Sequence, residues 1–224
     1  MAFSKETFAF LADLEAHNSK DWFDANRNRY EAHWRAPALA FIDALAPHMG
    51  ALEVPLKAEA RLNGSLRRIN RDVRFSKDKT PYNARLHLIF WSGGHPNRSP
   101  GMHFVLTPTG VGYGAGAYGF DAAMIKRYRD RVVDPGPGAG DALAHALDRA
   151  GEVGSTIGEP DLARLPKGYA AEGRAAQLLR YKSVVARTHG TEAQPGVLIG
   201  PDAVRWAMDI TQAHVPLLKW LQEL

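Results

Sequence analysis

Between Ala84 and Tyr118 apolar residues recur at every second position and short turn-forming segments interrupt them, a pattern few folds accommodate. Leu86, Leu88 and Phe90 alternate with Arg85, His87 and Ile89, which predicts a strand over 84–91. Ser92-Gly93-Gly94-His95-Pro96-Asn97 reads as a loop, and Met102–Leu106 as the next strand. Thr107-Pro108-Thr109-Gly110 turns the chain into a third strand that runs to Tyr118. Successive period-two strands with short connections predict an antiparallel meander. In the third strand Gly110, Gly112, Gly114 and Gly116 fall on one face, which lets another group approach the sheet closely. Gly114–Gly119 also fits G-x-G-x-x-G, but a dinucleotide unit needs parallel strands and this region predicts none.

Helical patterning flanks the sheet. Phe8, Leu11 and Leu14 give residues 5–16 one apolar face. Asn18-Ser19 offers a cap for a second helix from Lys20, which carries Trp22, Phe23, Asn26, Tyr30 and Trp34. Phe41, Ile42 and Leu45 extend that face, and Pro37 is expected to kink or split it. Asn63-Gly64 suggests a hairpin turn within an extended 58–70 segment. Downstream, helices are predicted over 121–133, stopped by residues 134–138, over 141–150 and over 173–181. Residues 183–188 read as extended. Gly200-Pro201 opens a C-terminal helix that Pro216 should bend. No long linker or internal repeat divides the chain. The expectation is a single α+β domain, an antiparallel meander packed against several helices. Its N-terminal helices would cover about 5–50, the strands about 58–118, and a helical and mixed part about 121–224.

Composition excludes several chemistries. The 224 residues include no cysteine, so disulfides, thiolate nucleophiles and cysteine-ligated clusters are ruled out. The first residues lack a signal-peptide core, and no run approaches the roughly 18 apolar residues of a membrane span, so a cytoplasmic protein without a membrane partner is expected. Nine histidines show neither i, i+4 nor H-x-H spacing and no accompanying carboxylates. Neither a metal nor a cofactor is expected, although His87 and His103 fall on neighbouring strands. No P-loop, G-x-S-x-G elbow or H-E-x-x-H helix occurs, so no motif assigns a reaction.

Charge singles out one region. Arg61, Arg67, Arg68, Arg71, Arg74, Lys77, Lys79 and Arg85 stand against only Asp72 and Asp78, a local charge of +6 in a chain whose net charge is +4. Guanidinium forks of Arg68, Arg71 and Arg74 suit bidentate binding of phosphate or carboxylate. Lys77 and Lys79 add point charges, and Ser76 and Tyr82 add hydroxyls. Residues 76–81 read as a polar turn in which Ser76 and Asp78 fold back onto backbone amides. Lys167 and Tyr169 would complete a small pocket. Asp72 or Asp78 would be the general base of any reaction there.

The string Arg71-Asp72-Val73-Arg74-Phe75-Ser76-Lys77-Asp78-Lys79-Thr80-Pro81-Tyr82 resembles the signature of the domain-of-unknown-function family numbered 2461. Trp22-Phe23 with Asn26, Arg27 and Tyr30, followed by Pro37 and Phe41, matches the same family. So do Pro166-Lys167-Gly168-Tyr169, Leu178-Leu179-Arg180 and Lys182-Ser183. Asn83 stands where many members look to carry lysine. Ala171-Glu172-Gly173 lacks the aspartate, histidine and proline expected there. The resemblance implies an α+β fold on an antiparallel sheet, and no particular reaction.

Together these features predict binding, with turnover an open question, of a small phosphate-bearing anion at residues 68–82. Two alternatives stand beside it. One is a nucleic-acid module using the same patch and the basic 121–133 helix, with Lys126, Arg127, Arg129 and Arg131. The other is a structural ion-pair motif in an interaction domain.

Overall fold

The computed structural model of the chain describes residues 3–134, 138–190 and 193–224. Part of the predicted helix stop, Pro135-Gly136-Pro137, lies outside the described residues. The N-terminal helices form as the apolar spacing dictates: α1 (Lys5–Ala16) buries Phe8, Phe10, Leu11 and Leu14. In α2 (Lys20–Ala25) the Ser19 side chain accepts the Trp22 N–H and caps the helix. A single turn, α3 (Arg27–Tyr30), leads into a π-helical turn at Glu31–Arg35 and then α4 (Ala36–Gly50). Pro37 stands in the first turn of α4, directly after the wider π turn that divides the helix here and carries the fully buried Trp34.

The sheet is antiparallel throughout. β1 (Leu86–Trp91), β2 (Gly101–Thr107) and β3 (Gly110–Ala117) form the predicted meander. Two later strands, β4 (Thr156–Ile157) and β5 (Val184–Arg187), extend it in the order β1-β2-β3-β5-β4. At the other edge Ser65 and Arg67 bond to Ile89 and His87 of β1. Asn63 adopts a left-handed turn there (φ 61°), which joins isolated bridges instead of two hairpin strands.

Two hydrophobic clusters flank this scaffold. Leu86, Leu88, Phe90, Met102, Phe104, Leu106 and Tyr113 pack with α1, α4 and the first half of the last helix, α8 (Ala203–Gln222). Val184 and Ala186 pack with α5 (Ala122–Val132), α6 (Ala139–Gly151), α7 (Gly173–Leu178) and the end of α8, through Leu217, Trp220 and Leu221. α8 thus contributes to both clusters. It begins two residues after Pro201 and runs unbroken past Pro216, while the His214 ring donates from Nδ1 to the Ile210 carbonyl one turn earlier.

The glycine face of β3 is filled by β5. A Cβ on Gly112 would lie 2.7 Å from the Gly190 carbonyl oxygen, and one on Gly114 would lie 2.5 Å from that of Ala186. Gly116, with φ 156°, meets the Val184 carbonyl in the same way. Close approach of backbone to backbone is what the period-two glycines permit. Gly114→Ala is expected to lower stability by about 1–3 kcal/mol, the range of core overpacking. Gly151→Ala, in open space at the end of α6, should be neutral or slightly stabilising. Thermal melts of both variants check this; equal melting temperatures would contradict it.

Candidate functional site

The 68–82 segment is a closed loop on two paired arms. Arg71 N–H donates to the Pro81 carbonyl and Asn83 N–H to that of Ile69, so residues 69–71 run against 81–83. Asn18 clamps the second arm. Its Nδ2 donates to the Tyr82 carbonyl and its Oδ1 accepts the Tyr82 N–H. The Tyr82 ring stacks on Phe23 with centroids 4.2 Å apart, and both rings are buried. The asparagine beside the helix cap thereby ties the loop to the N-terminal helices.

Within the tip, most of the charge is already used. Arg71 Nη1 lies 2.5 Å from Asp78 Oδ2 and also donates to the carbonyl and hydroxyl of Thr80. Arg74 binds Asp72 bidentately, at 2.9 and 2.7 Å, and Lys79 Nζ donates to the Val73 carbonyl. The Asp78 carboxyl is pulled down to about 2, chiefly by the Thr80 N–H and then by Arg71. Arg74, through side chain and backbone, holds Asp72 below its ordinary range. Carboxylates held this low are weak bases near neutral pH. Asp78 does fold back onto a backbone amide, as its place in the turn predicts, whereas Ser76 contributes its own N–H to the Val73 carbonyl. Arg68 and Lys77 are exposed and, among the described residues, bond to no acid. Phe75 is 95% exposed at the tip.

Lys167 and Tyr169 are not joined to this loop by any hydrogen bond or ion pair among the described residues. Tyr169 packs on the second cluster and donates to Asp130 on α5. The four cations of α5 are also engaged. Lys126 pairs with Asp130 and Arg131 with Glu223, while Arg127 and Arg129 donate to the main-chain oxygens of Leu224 and Leu179.

Uncompensated charge gathers elsewhere. A cleft of about 450 Å³ opens on the sheet face turned away from the first cluster. His87 lines it from β1 with Arg85 just before that strand, His103 and Val105 from β2, Tyr118 just after β3, and Val185 and Arg187 from β5 with Thr188 just after it. Among the described residues no acidic side chain lines it. Arg67, opposite His87 in the edge pairing, lies close enough to influence both histidines. Among the described residues Arg67, Arg85 and Arg187 have no carboxylate partner. The wider hollow beside Arg127 and Arg131 differs, because Asp130, Asp134 and Glu223 line it too.

At the cleft His87 Nε2 and His103 Nδ1 share a hydrogen bond of 2.8 Å, and Tyr118 meets the His103 ring edge-on. Burial, then His103, Arg85 and Arg67, push His87 down to about 3; burial and Arg67 push His103 down to about 4. Both rings are therefore neutral at physiological pH. Strand alternation placed the two histidines on adjacent strands, but Arg187 and Thr188 were missed as site residues. Their only signal was the extended pattern of 183–188. Among the described residues no group of three or more His, Asp or Glu side chains could hold a metal ion.

A family model described as a conserved hypothetical protein, DUF2461, matches residues 6–220. The chain belongs to that family. No match was found among curated proteins or among solved structures. The 71–82 string thus forms the self-braced loop.

Because Asp78 is depressed in the folded loop, its bracing is present above the ordinary carboxylate range near 4 and lost as pH falls through about 2. A carbon-detected NMR titration should place its midpoint near 2, and Arg71→Ala should move it upward. A midpoint at the ordinary value in the unaltered protein would refute the clamp.

Proposed function

We propose that this DUF2461 member binds a small anionic ligand, phosphate-bearing by preference, in the sheet-face cleft and not at the loop tip. The observation that carries this reading is that Arg85 and Arg187 line a cavity with no acidic lining residue among the described residues, while Arg67 acts on both of its histidines. Cations without counter-ions repel one another, and an anion between them relieves that repulsion through charge-assisted hydrogen bonds. Val105, Val185 and Tyr118 offer an apolar flank for an organic portion, so the favoured ligand is a phosphate or carboxylate on a compact, partly apolar body. The sequence motif contributes at its ends: Arg67 and Arg85 bracket it, while its central cations hold the loop. Arg68 and Lys77, exposed nearby in sequence, add long-range attraction for an anion.

Titration calorimetry with phenyl phosphate tests the reading. Arg85→Ala and Arg187→Ala should each weaken binding by about 10- to 100-fold, the worth of one or two charge-assisted hydrogen bonds. Arg74→Ala should leave it unchanged. Binding that vanishes with Arg74→Ala yet survives both cleft substitutions would return the site to the loop. Tight, steeply salt-dependent binding of an oligonucleotide in place of phenyl phosphate would point to a polyanion.

A further inference from the structure

The two histidines have chemistry that simple charge attraction does not use. A neutral imidazole carries one N–H and one lone pair. In the 2.8 Å contact one ring donates and the other accepts, whichever tautomers are present. Of the two outer nitrogens, His87 Nδ1 and His103 Nε2, one therefore bears a hydrogen and the other a lone pair. A lone pair facing an anion is repulsive. One added proton converts that acceptor into a donor, leaves the bridging hydrogen bond intact, and makes it charge-assisted.

We propose that anion capture in the cleft is coupled to uptake of one proton by the His87–His103 pair. The inference rests on the anion-binding reading above and deepens it. Among the described residues, the charged and titratable groups beside the pair are Arg67 from the edge segment, Arg85 before β1, Tyr118 after β3 and Arg187 on β5, with no carboxylate among the lining residues. In the empty cleft the arginines and the shielding from water oppose a further positive charge. A bound dianion reverses the sign of the local field, so the same pair then gains from protonation. By linkage, whatever the anion does for the proton, the proton does for the anion. The site would thus hold dianions more tightly in mildly acidic solution and release them as pH rises.

Inorganic sulfate is the suitable probe, because it stays a dianion across mildly acidic and neutral pH and brings no proton of its own. Calorimetric titrations in two buffers of different ionisation enthalpy count protons taken up per sulfate bound. The expected result is uptake approaching one proton, with affinity falling by about tenfold per pH unit over the range where uptake occurs. Nitrogen NMR of the imidazoles should show both outer nitrogens protonated only when sulfate is present. The double variant His87→Asn/His103→Gln, checked for folding by its melting curve, should bind sulfate more weakly and without proton uptake. Sulfate binding that is independent of pH and buffer, or uptake that persists in the double variant, overturns the coupling and leaves the anion site standing. No sulfate binding at any pH overturns the anion site itself.

Discussion

The close passage of β5 over the glycine face of β3 is the constraint on which the rest of the molecule depends. Gly112, Gly114 and Gly116 have backbone where any other residue would need its Cβ, so the two strands can pair only while those positions stay bare. That pairing brings Arg187 and Thr188, from late in the chain, to the sheet face that already holds His87 and His103. It also links the two hydrophobic clusters, since β3 packs on the first and β5 on the second. The cleft therefore follows from the strand pairing. His87, His103, Val105, Val185 and Arg187 in its walls are strand residues, which are held more rigidly than loop residues.

Charge is distributed on a matching logic. In the loop, two aspartates meet two arginines over short distances, and Lys79 finds a carbonyl. Exposed pairs of this kind contribute little stability one by one, but together they fix a tight loop whose arms Asn18 already clamps. At the cleft, by contrast, Arg85 and Arg187 line the cavity that holds two neutral rings, Arg67 acts on both rings, and among the described residues none of the three pairs with a carboxylate.

Much of this was legible in the sequence. Alternation at Leu86, Leu88 and Phe90 gave the meander, and the period-two glycines announced a close approach. Family membership and the α+β architecture also stood in the residues. Which group made the approach was not legible, because β5 is only four residues long and joins the sheet from seventy residues away. The surplus of cations in 61–85 was correctly counted, yet a count cannot tell a self-paired arginine from a free one. Arg71 and Arg74 reach acids seven and two residues away, and only the turn geometry of the loop settles that. Arg85, just ahead of β1, differs because it lines the open cleft. Pro37 signals a kink or a split, but that the division takes the form of a π turn just before it is not legible in the sequence.

A crystal soaked in selenate tests the central claim most directly, because the anomalous signal of selenium marks the anion without prior assumption about its place. The account predicts a peak in the cleft between the Arg85 and Arg187 guanidinium groups, beside the paired imidazoles. A peak cradled by residues 72–80, with nothing between those arginines, would contradict it.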